Sequence, residues 1–138
     1  MGGGLVMLGI KKQFIKSMIK LEVVGNAPGK LQIYVAQIKK IEDEYKHYEY
    51  YAQNAISLLN GVQDLDADYE KGIINIKYDT AKVNAQQIYK WLQVIVDIGV
   101  DYYDELKGIW EKDGDEAQKA EEIWQRMRPV LIKALAKI

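Results

Sequence analysis

Residues 59–98, LNGVQDLDADYEKGIINIKYDTAKVNAQQIYKWLQVIVDI, decide the fold of this chain. The step Leu59-Asn60-Gly61-Val62 is typical of a helix end, because Gly61 suits the left-handed backbone that follows a helix. Asp64 to Tyr78 then predicts a β-hairpin, whose turn contains Gly72 where a positive φ is needed. This stretch therefore indicates a helix, two antiparallel strands and the start of a second helix.

The segments on either side of this stretch extend the pattern. Downstream, Asn84 predicts an N-cap, and Gln87 completes a capping box before apolar residues at helical spacing. Upstream, residues 42–59 have a helical period, and residues 30–36 alternate polar and apolar side chains as a half-buried strand does. Residues 21–24 either extend that strand beyond a turn or form a separate edge strand.

Both ends of the chain predict helices outside this core. Residues 10–21 are amphipathic, so this basic helix either packs on its own domain or contacts a membrane or a partner. Residues 99–138 continue in helical period, with Asp115 expected to cap the last helix and Pro129 to kink or break it. We therefore expect three parts: a flexible glycine leader and basic helix at 1–20, an α+β core at 21–98, and a helical extension at 99–138.

The order strand–helix–strand–strand–helix over residues 30–98 is that of a ferredoxin-like α+β fold. Pro28-Gly29-Lys30-Leu31 resembles the Pro-Gly-Arg-apolar opening of a divergent, cysteine-free subfamily of heavy-metal-associated domains. Leu59-Asn60-Gly61-Val62 is similar to the Leu-Pro-Gly-Val step of that family, and residues 71–79 resemble its Gly, strand and Tyr-Asp segment. The resemblance implies a ferredoxin-like βαββα core at 21–98, with residues 21–24 or a helix at the edge where the family has a fourth strand.

The resemblance also implies a role in metal transport, trafficking or storage. The family grips metal with a Cys-x-x-Cys loop, and this chain contains no cysteine. Thiolate-bound copper or zinc is therefore excluded. Any metal would have to be held by other donors.

The stretch in the place of the metal loop holds oxygen donors and the only histidine of the chain. On a helix, Asp43, His47 and Tyr51 lie at successive i, i+4 positions, and Glu44 comes three residues before His47. Such donors suit iron or another hard divalent metal rather than Cu(I). Asp43, Glu44, His47 and Tyr51 are thus the candidate metal ligands. The alternative is an ordinary helix start, where acids complement the helix dipole and tyrosines pack.

A second acidic group has helical spacing further along the chain. It consists of Asp97, Asp101, Asp104 and Glu105. Acids one turn apart repel one another unless they are solvated or compensated by cations. A solvated helix face is one interpretation, and a site for a cation or a basic partner is the other.

Composition and motifs exclude several function classes. With 19 basic and 20 acidic residues, the net charge of −1 supplies no field to hold a nucleic-acid backbone. No apolar run reaches the roughly 18 residues that span a bilayer. The motifs of phosphate-binding loops, nucleophile elbows and zinc proteases are missing, which predicts a protein that is not an enzyme. We expect it in the cytoplasm, with peripheral membrane contact through residues 5–20 as an addition.

Two functions are compatible with these observations. The first is a non-enzymatic accessory protein of metal transport, trafficking or storage, with a metal-transporting ATPase or another membrane protein as partner. The alternative is a protein-interaction or scaffold module that binds no metal and forms homo-oligomers or docks on a membrane protein. Its docking faces would be the basic helix at 10–20 and an apolar stripe near the C-terminus, formed by Trp124, Met127, Leu131 and Leu135.

Overall fold

The computed structural model of the protein describes residues 16, 19–36 and 47–138, which form an α+β fold. The described strands are β1 (Glu22–Ala27), β2 (Lys30–Tyr34), β3 (Val62–Asp68) and β4 (Ile73–Tyr78). The longer helices are α1 (His47–Ser57), α2 (Ala85–Asp101), α3 (Tyr103–Trp110) and α4 (Glu116–Leu135). Most of the predicted N-terminal helix at 10–21 lies outside the described residues. Within the described ranges, no helix combines the length and the apolar character needed to cross a membrane.

The strands form one antiparallel sheet in the order β1-β2-β4-β3. β1 and β2 are a hairpin joined at residues 28–29, and β3 and β4 are a second hairpin. β2 pairs with β4 in the middle of the sheet, with Leu31 opposite Ile76. The predicted order of strand, helix, strand, strand and helix is therefore present, and residues 21–24 contribute to a separate edge strand. The ferredoxin-like classification stays a prediction.

Local turn and cap chemistry agrees with the sequence analysis. Gly61 has φ 105° and Gly72 has φ 71°, so both lie where a side chain would be strained. The Asn84 N–H donates to Gln87 Oε1 at 3.0 Å, and the Gln87 N–H donates to Asn84 Oδ1 at 2.8 Å. Asp115 caps α4. The capping box and the helix cap are therefore confirmed.

Two expectations for the C-terminal helices have different outcomes. The helical pattern beyond Gly99 is divided at Tyr102, where α2 ends and α3 begins. Pro129 lies inside α4, which runs from Glu116 to Leu135 without the predicted break. The apolar residues Ile123, Met127 and Leu131 are fully buried, and their packing holds the helix on both sides of the proline. The prediction of a docking face at Trp124, Met127 and Leu131 is therefore wrong, because these side chains belong to the core.

The helices cover one face of the sheet. Leu31, Ile33 and Ile76 on that face are fully buried. Trp91 of α2 is also fully buried, and its indole N–H donates to the Ala55 carbonyl oxygen in α1 at 2.8 Å. Each of the helices α1 to α4 contributes to this core. Their buried residues are Tyr51, Ala55, Ile56, Ile88, Trp91, Leu92, Ile95, Leu106, Ile109, Ile123, Trp124, Met127 and Leu131.

The other face of the sheet carries the alternate residues of each strand. Gln32 lies opposite Asn75, and its Nε2 donates to Asn75 Oδ1 at 2.8 Å. One row along the strands, Lys30 lies opposite Lys77. This face is therefore mainly polar, as expected for an antiparallel sheet with one covered side.

Candidate functional site

Of the four candidate metal ligands, the structure describes the side chain of Tyr51 alone. Asp43 and Glu44 lie outside the described residues, and so does the side chain of His47, the first residue of α1. Tyr51, one turn later, is 5% exposed, and its hydroxyl has no hydrogen-bond partner among the described residues. In the same ranges, no three acidic or histidine side chains cluster as metal ligands do. The metal site stays a prediction.

The surroundings of Tyr51 are those of a packed core residue. Its ring lies against α2, where a Cβ placed on Gly99 would be 3.8 Å from Tyr51 Cε1. Burial raises the pKa of Tyr51 far above its ordinary range. The phenolate that a metal would bind is therefore disfavoured unless a cation compensates it.

The second acidic group makes ion pairs within the fold. Asp101 pairs with Lys16 Nζ at 2.8 Å. Glu105 accepts two hydrogen bonds from the Arg126 guanidinium, at 2.7 and 3.2 Å, which raises the pKa of Arg126. Arg126 also lies 5.2 Å from the centre of the Tyr102 ring. Two of the four acids therefore pair with cations of the fold, and all four are exposed, which supports the interpretation of this group as a solvated helix face.

A surface outside the predicted ligands has the properties of a docking site. We call it the β1 edge, and it consists of residues 22–27 on the side of β1 that faces away from β2. Val23 is 46% exposed and Val24 is 50% exposed, among the most exposed large apolar residues described. The pairing register shifts between Val23 and Gly25, so Val24 is the extra residue of a β-bulge. Within the described chain, β1 pairs with β2 alone.

A groove of about 800 Å³ runs beside the β1 edge. One wall is the segment that leads into β1, and the other is α2, which contributes Tyr89 and Val96. The Tyr89 hydroxyl donates to the Leu21 carbonyl oxygen at 2.9 Å and so holds the two walls at a fixed separation. The Lys16–Asp101 ion pair spans the same two walls. The groove is therefore held open by contacts of the fold itself.

The opposite edge of the sheet has a different character. β3 carries Asp64, Asp66 and Asp68 at alternate positions, so their carboxylates share one face of the strand. The Tyr69 hydroxyl, directly after β3, donates to Glu49 in α1 at 2.5 Å. Charges on an edge strand oppose the addition of another strand. Of the two edges, only β1 combines exposed apolar side chains with few charges.

The sequence analysis did not identify the β1 edge as a functional surface. The available signal was the pair Val23-Val24 beside Gly25, in a segment whose only charge is Glu22. The sequence of this segment is equally compatible with an interior strand, because the position of a strand in the sheet depends on pairing with distant residues. The edge could therefore be identified only once the strand order was known.

The geometry is the main guide to function, because the comparisons with known proteins are negative. A scan against protein-family models, a search of curated proteins and a search of solved structures each found no match. The resemblance to heavy-metal-associated domains stays a prediction.

Proposed function

We propose that this protein is a non-enzymatic interaction module that docks another polypeptide at the β1 edge. The observation that supports this function is the contrast between the two edges of one sheet. β3 carries three carboxylates, whereas β1 exposes Val23 and Val24 and carries a single charge. Natural proteins usually protect an edge strand against pairing, and within the described part of the chain the bulge is the one such device on β1.

Docking would proceed by strand addition. An extended segment beside β1 would exchange main-chain hydrogen bonds with the outer side of this strand. Val23 and Val24 would then be removed from water, which contributes roughly 25 cal/mol per Å² of apolar surface. The groove between Leu21 and Tyr89 would receive a side chain of the added segment, and this would give selectivity.

The fold class proposed from the sequence is consistent with this function. We propose a ferredoxin-like core made of β2, α1, β3, β4 and α2. The antiparallel pairing of β2 with β4 supports this classification, and β1 takes the place of the fourth strand. In this arrangement the β1 edge is supplied by the N-terminal side of the core, and α3 and α4 pack elsewhere on the helical layer.

A crosslinking experiment in cells that produce the protein tests the proposed function. A photo-reactive amino acid is placed at Val24, and a matched variant carries it at Asp66 on the opposite edge. We expect a defined crosslinked polypeptide from position 24 and none from position 66. No crosslink at position 24, or equal products from both positions, would contradict docking at the β1 edge.

The role in metal trafficking is a second proposal, and Tyr51 favours it in one respect. Its buried hydroxyl has no hydrogen-bond partner among the described residues, and a cation held with His47, one turn earlier on α1, would provide one. Iron or another hard divalent metal would be the bound ion, with Asp43 and Glu44 as further ligands. A metal-transporting ATPase would then be the polypeptide that docks.

Elemental analysis of protein purified without chelator distinguishes the two proposals. Stoichiometric metal that is lost in both His47→Ala and Tyr51→Phe would support trafficking. Metal-free wild-type protein would rule out direct metal binding, while docking at the β1 edge would still be open to the crosslinking test. A Tyr103→Phe variant is the matched control, since it changes a tyrosine outside the candidate ligands.

A further inference from the structure

We infer that the polypeptide that docks at the β1 edge is a second copy of this chain, joined β1 to β1 in antiparallel register about a two-fold axis. This inference rests on the proposed function, because it names the partner of that surface. It rests on the residues of β1 itself, on two charges of the polar face that form no ion pair with a described residue, and on the acidic opposite edge.

The residues of β1 are complementary to their own reversed order. With the axis between Val24 and Gly25, Glu22 would lie opposite the partner's Ala27. Val23 would lie opposite the partner's Asn26, and no two like charges would face each other. Like charges directly opposite on paired strands are unfavourable, and this register has none. The exposed valines of both copies would meet near the axis.

Two charges that make no ion pair in the described fold would be matched across the axis. The register of β1 with β2 places Glu22 beside Tyr34, and Ala27 beside Lys30, all on the polar face of the sheet. Neither Glu22 nor Lys30 forms an ion pair with any described residue. Lys30 lies opposite Lys77, which has Asp64 opposite it on its other side, so Lys30 is the lysine at the outer end of this row.

The geometry of an antiparallel sheet brings these charges within reach of each other. One strand would lie between Glu22 and the partner's Lys30. At that position, this strand carries the partner's Ala27. Two strand spacings amount to about 10 Å between Cα atoms, a distance that an extended glutamate and lysine can bridge. The small alanine between them would leave the path open. The symmetry produces this ion pair twice.

The assembly would stop at two copies. Pairing β1 with β1 makes one continuous sheet whose outer strands are the two β3 edges. Asp64 and Asp66 would then protect both ends, because their carboxylates repel another acidic strand. An isologous contact of this kind uses the same surface on both copies and closes on itself.

Sedimentation equilibrium of the full chain tests this inference through a charge exchange. The wild type is expected to be a dimer, and Glu22→Lys or Lys30→Glu alone should each raise the dimer Kd about thirtyfold, since two symmetric contacts become repulsive. The double variant Glu22→Lys with Lys30→Glu should recover the wild-type Kd to within about threefold. Circular dichroism and thermal unfolding establish that each variant is folded.

Substitutions on the two edges provide the matched control. Val24→Lys places a charge on the β1 edge and should leave the protein monomeric, whereas Asp66→Lys on the β3 edge should leave the dimer Kd unchanged. A monomeric wild type at sub-millimolar concentration would overturn the inference, as would single charge variants that the double variant fails to rescue.

The outcomes also separate this inference from the proposed function. A monomeric wild type that crosslinks a different polypeptide through position 24 would overturn self-pairing while the docking function stands. A monomeric wild type with no crosslink at position 24 would overturn both. A dimer that dissociates with Val24→Lys and recovers with the charge exchange would support both.

Discussion

The two edges of the sheet are built alike in backbone and differently in side chains. β1 has six residues and β3 has seven, and the pairing register of each shifts near one end. β3 adds three aspartates to its bulge, while β1 adds exposed valines. Both edges therefore have a bulge, and the difference lies in their side chains. The aspartates of β3 oppose the pairing of another strand, whereas the side chains of β1 leave its edge available for pairing.

The two edge strands also differ in the contacts that attach them to the helices. β3 is preceded by Gly61, which packs tightly against Val83, and is followed by Tyr69, which bonds to Glu49 of α1. At the β1 side, Tyr89 holds the carbonyl oxygen of Leu21. The β3 edge therefore has the tighter attachment, and its loss should cost more stability.

The largest expected effect comes from a glycine substitution at the start of β3. Gly61→Ala requires a side chain at φ 105°, and its Cβ would lie 2.7 Å from Val83 Cγ1. We expect the free energy of unfolding to fall by about 3 kcal/mol, from backbone strain and overpacking together. Urea unfolding measures this loss.

The matched change on the other edge is Gly25→Ala, where φ lies outside the left-handed region. Its Cβ would meet the Gln32 side chain, whose amide can move aside at the cost of its hydrogen bond to Asn75. We expect a loss of about 1 kcal/mol or less. Equal losses for the two alanine variants would contradict the tighter attachment of β3.

The next effect concerns the tyrosines that fasten the edges. Tyr69→Phe removes a bond to a carboxylate and should lower the free energy of unfolding by about 1.5 kcal/mol. Tyr89→Phe removes a bond to a neutral carbonyl oxygen and should cost about 1 kcal/mol. Thermal unfolding of both variants checks the order, and Tyr50→Phe, with an exposed bond to Glu121, should have the smallest effect.

Tyr51 differs from these tyrosines, because no described residue bonds to its buried hydroxyl. Tyr51→Phe removes a buried hydroxyl that no described residue bonds, and it should raise the free energy of unfolding by about 1 kcal/mol. Urea unfolding at neutral pH measures this gain. A loss of stability in Tyr51→Phe would instead indicate that the hydroxyl has a partner in solution.

The same residue predicts a dependence on alkaline pH. Because burial raises the pKa of Tyr51 in the folded state, the unfolded chain loses its phenol proton first as pH rises. Stability should therefore be intact below pH of about 10 and fall above it, by up to about 1.4 kcal/mol per pH unit from this residue. Urea unfolding from neutral to alkaline pH should show a shallower fall in Tyr51→Phe.

The smallest effect on stability is expected from replacing the aspartates that protect the β3 edge. The double variant Asp64→Thr with Asp66→Thr should change the free energy of unfolding by less than about 0.5 kcal/mol. It should nevertheless form assemblies larger than dimers, because the second edge becomes available for pairing. Light scattering detects these assemblies. Asp104→Thr with Asp113→Thr changes the net charge equally and should leave the assembly state unchanged.

Much of the fold was predictable because its signals are local. Gly61, Gly72 and the pair Asn84 and Gln87 each act within a few residues, so their turns and caps follow from neighbouring sequence alone. The edge position of β1 depends instead on the pairing of β2 with β4, where Gln32 and Asn75 are 43 residues apart in the chain. For residues 21–24, the sequence therefore left two alternatives, and the strand order decides between them.

The candidate site was less predictable for a related reason. The spacing of His47 and Tyr51 places them on one helix face, but spacing does not say whether that face meets water or the core. Tyr51 turns inward, and its ring lies beside Gly99 of α2. That contact joins residues far apart in the chain, so the sequence pattern of α1 alone does not predict it.

The strand order also carries a consequence for how the chain folds. β1 and β2 are joined by a two-residue turn, and such hairpins form in about 1–10 μs. The central pairing is different, since Gln32 and Asn75 are 43 residues apart and meet only after α1 has bridged them. Both hairpins are therefore expected early and their association late. β1 would then reach the growing sheet already paired to β2, with its outer side exposed before the helices cover the core.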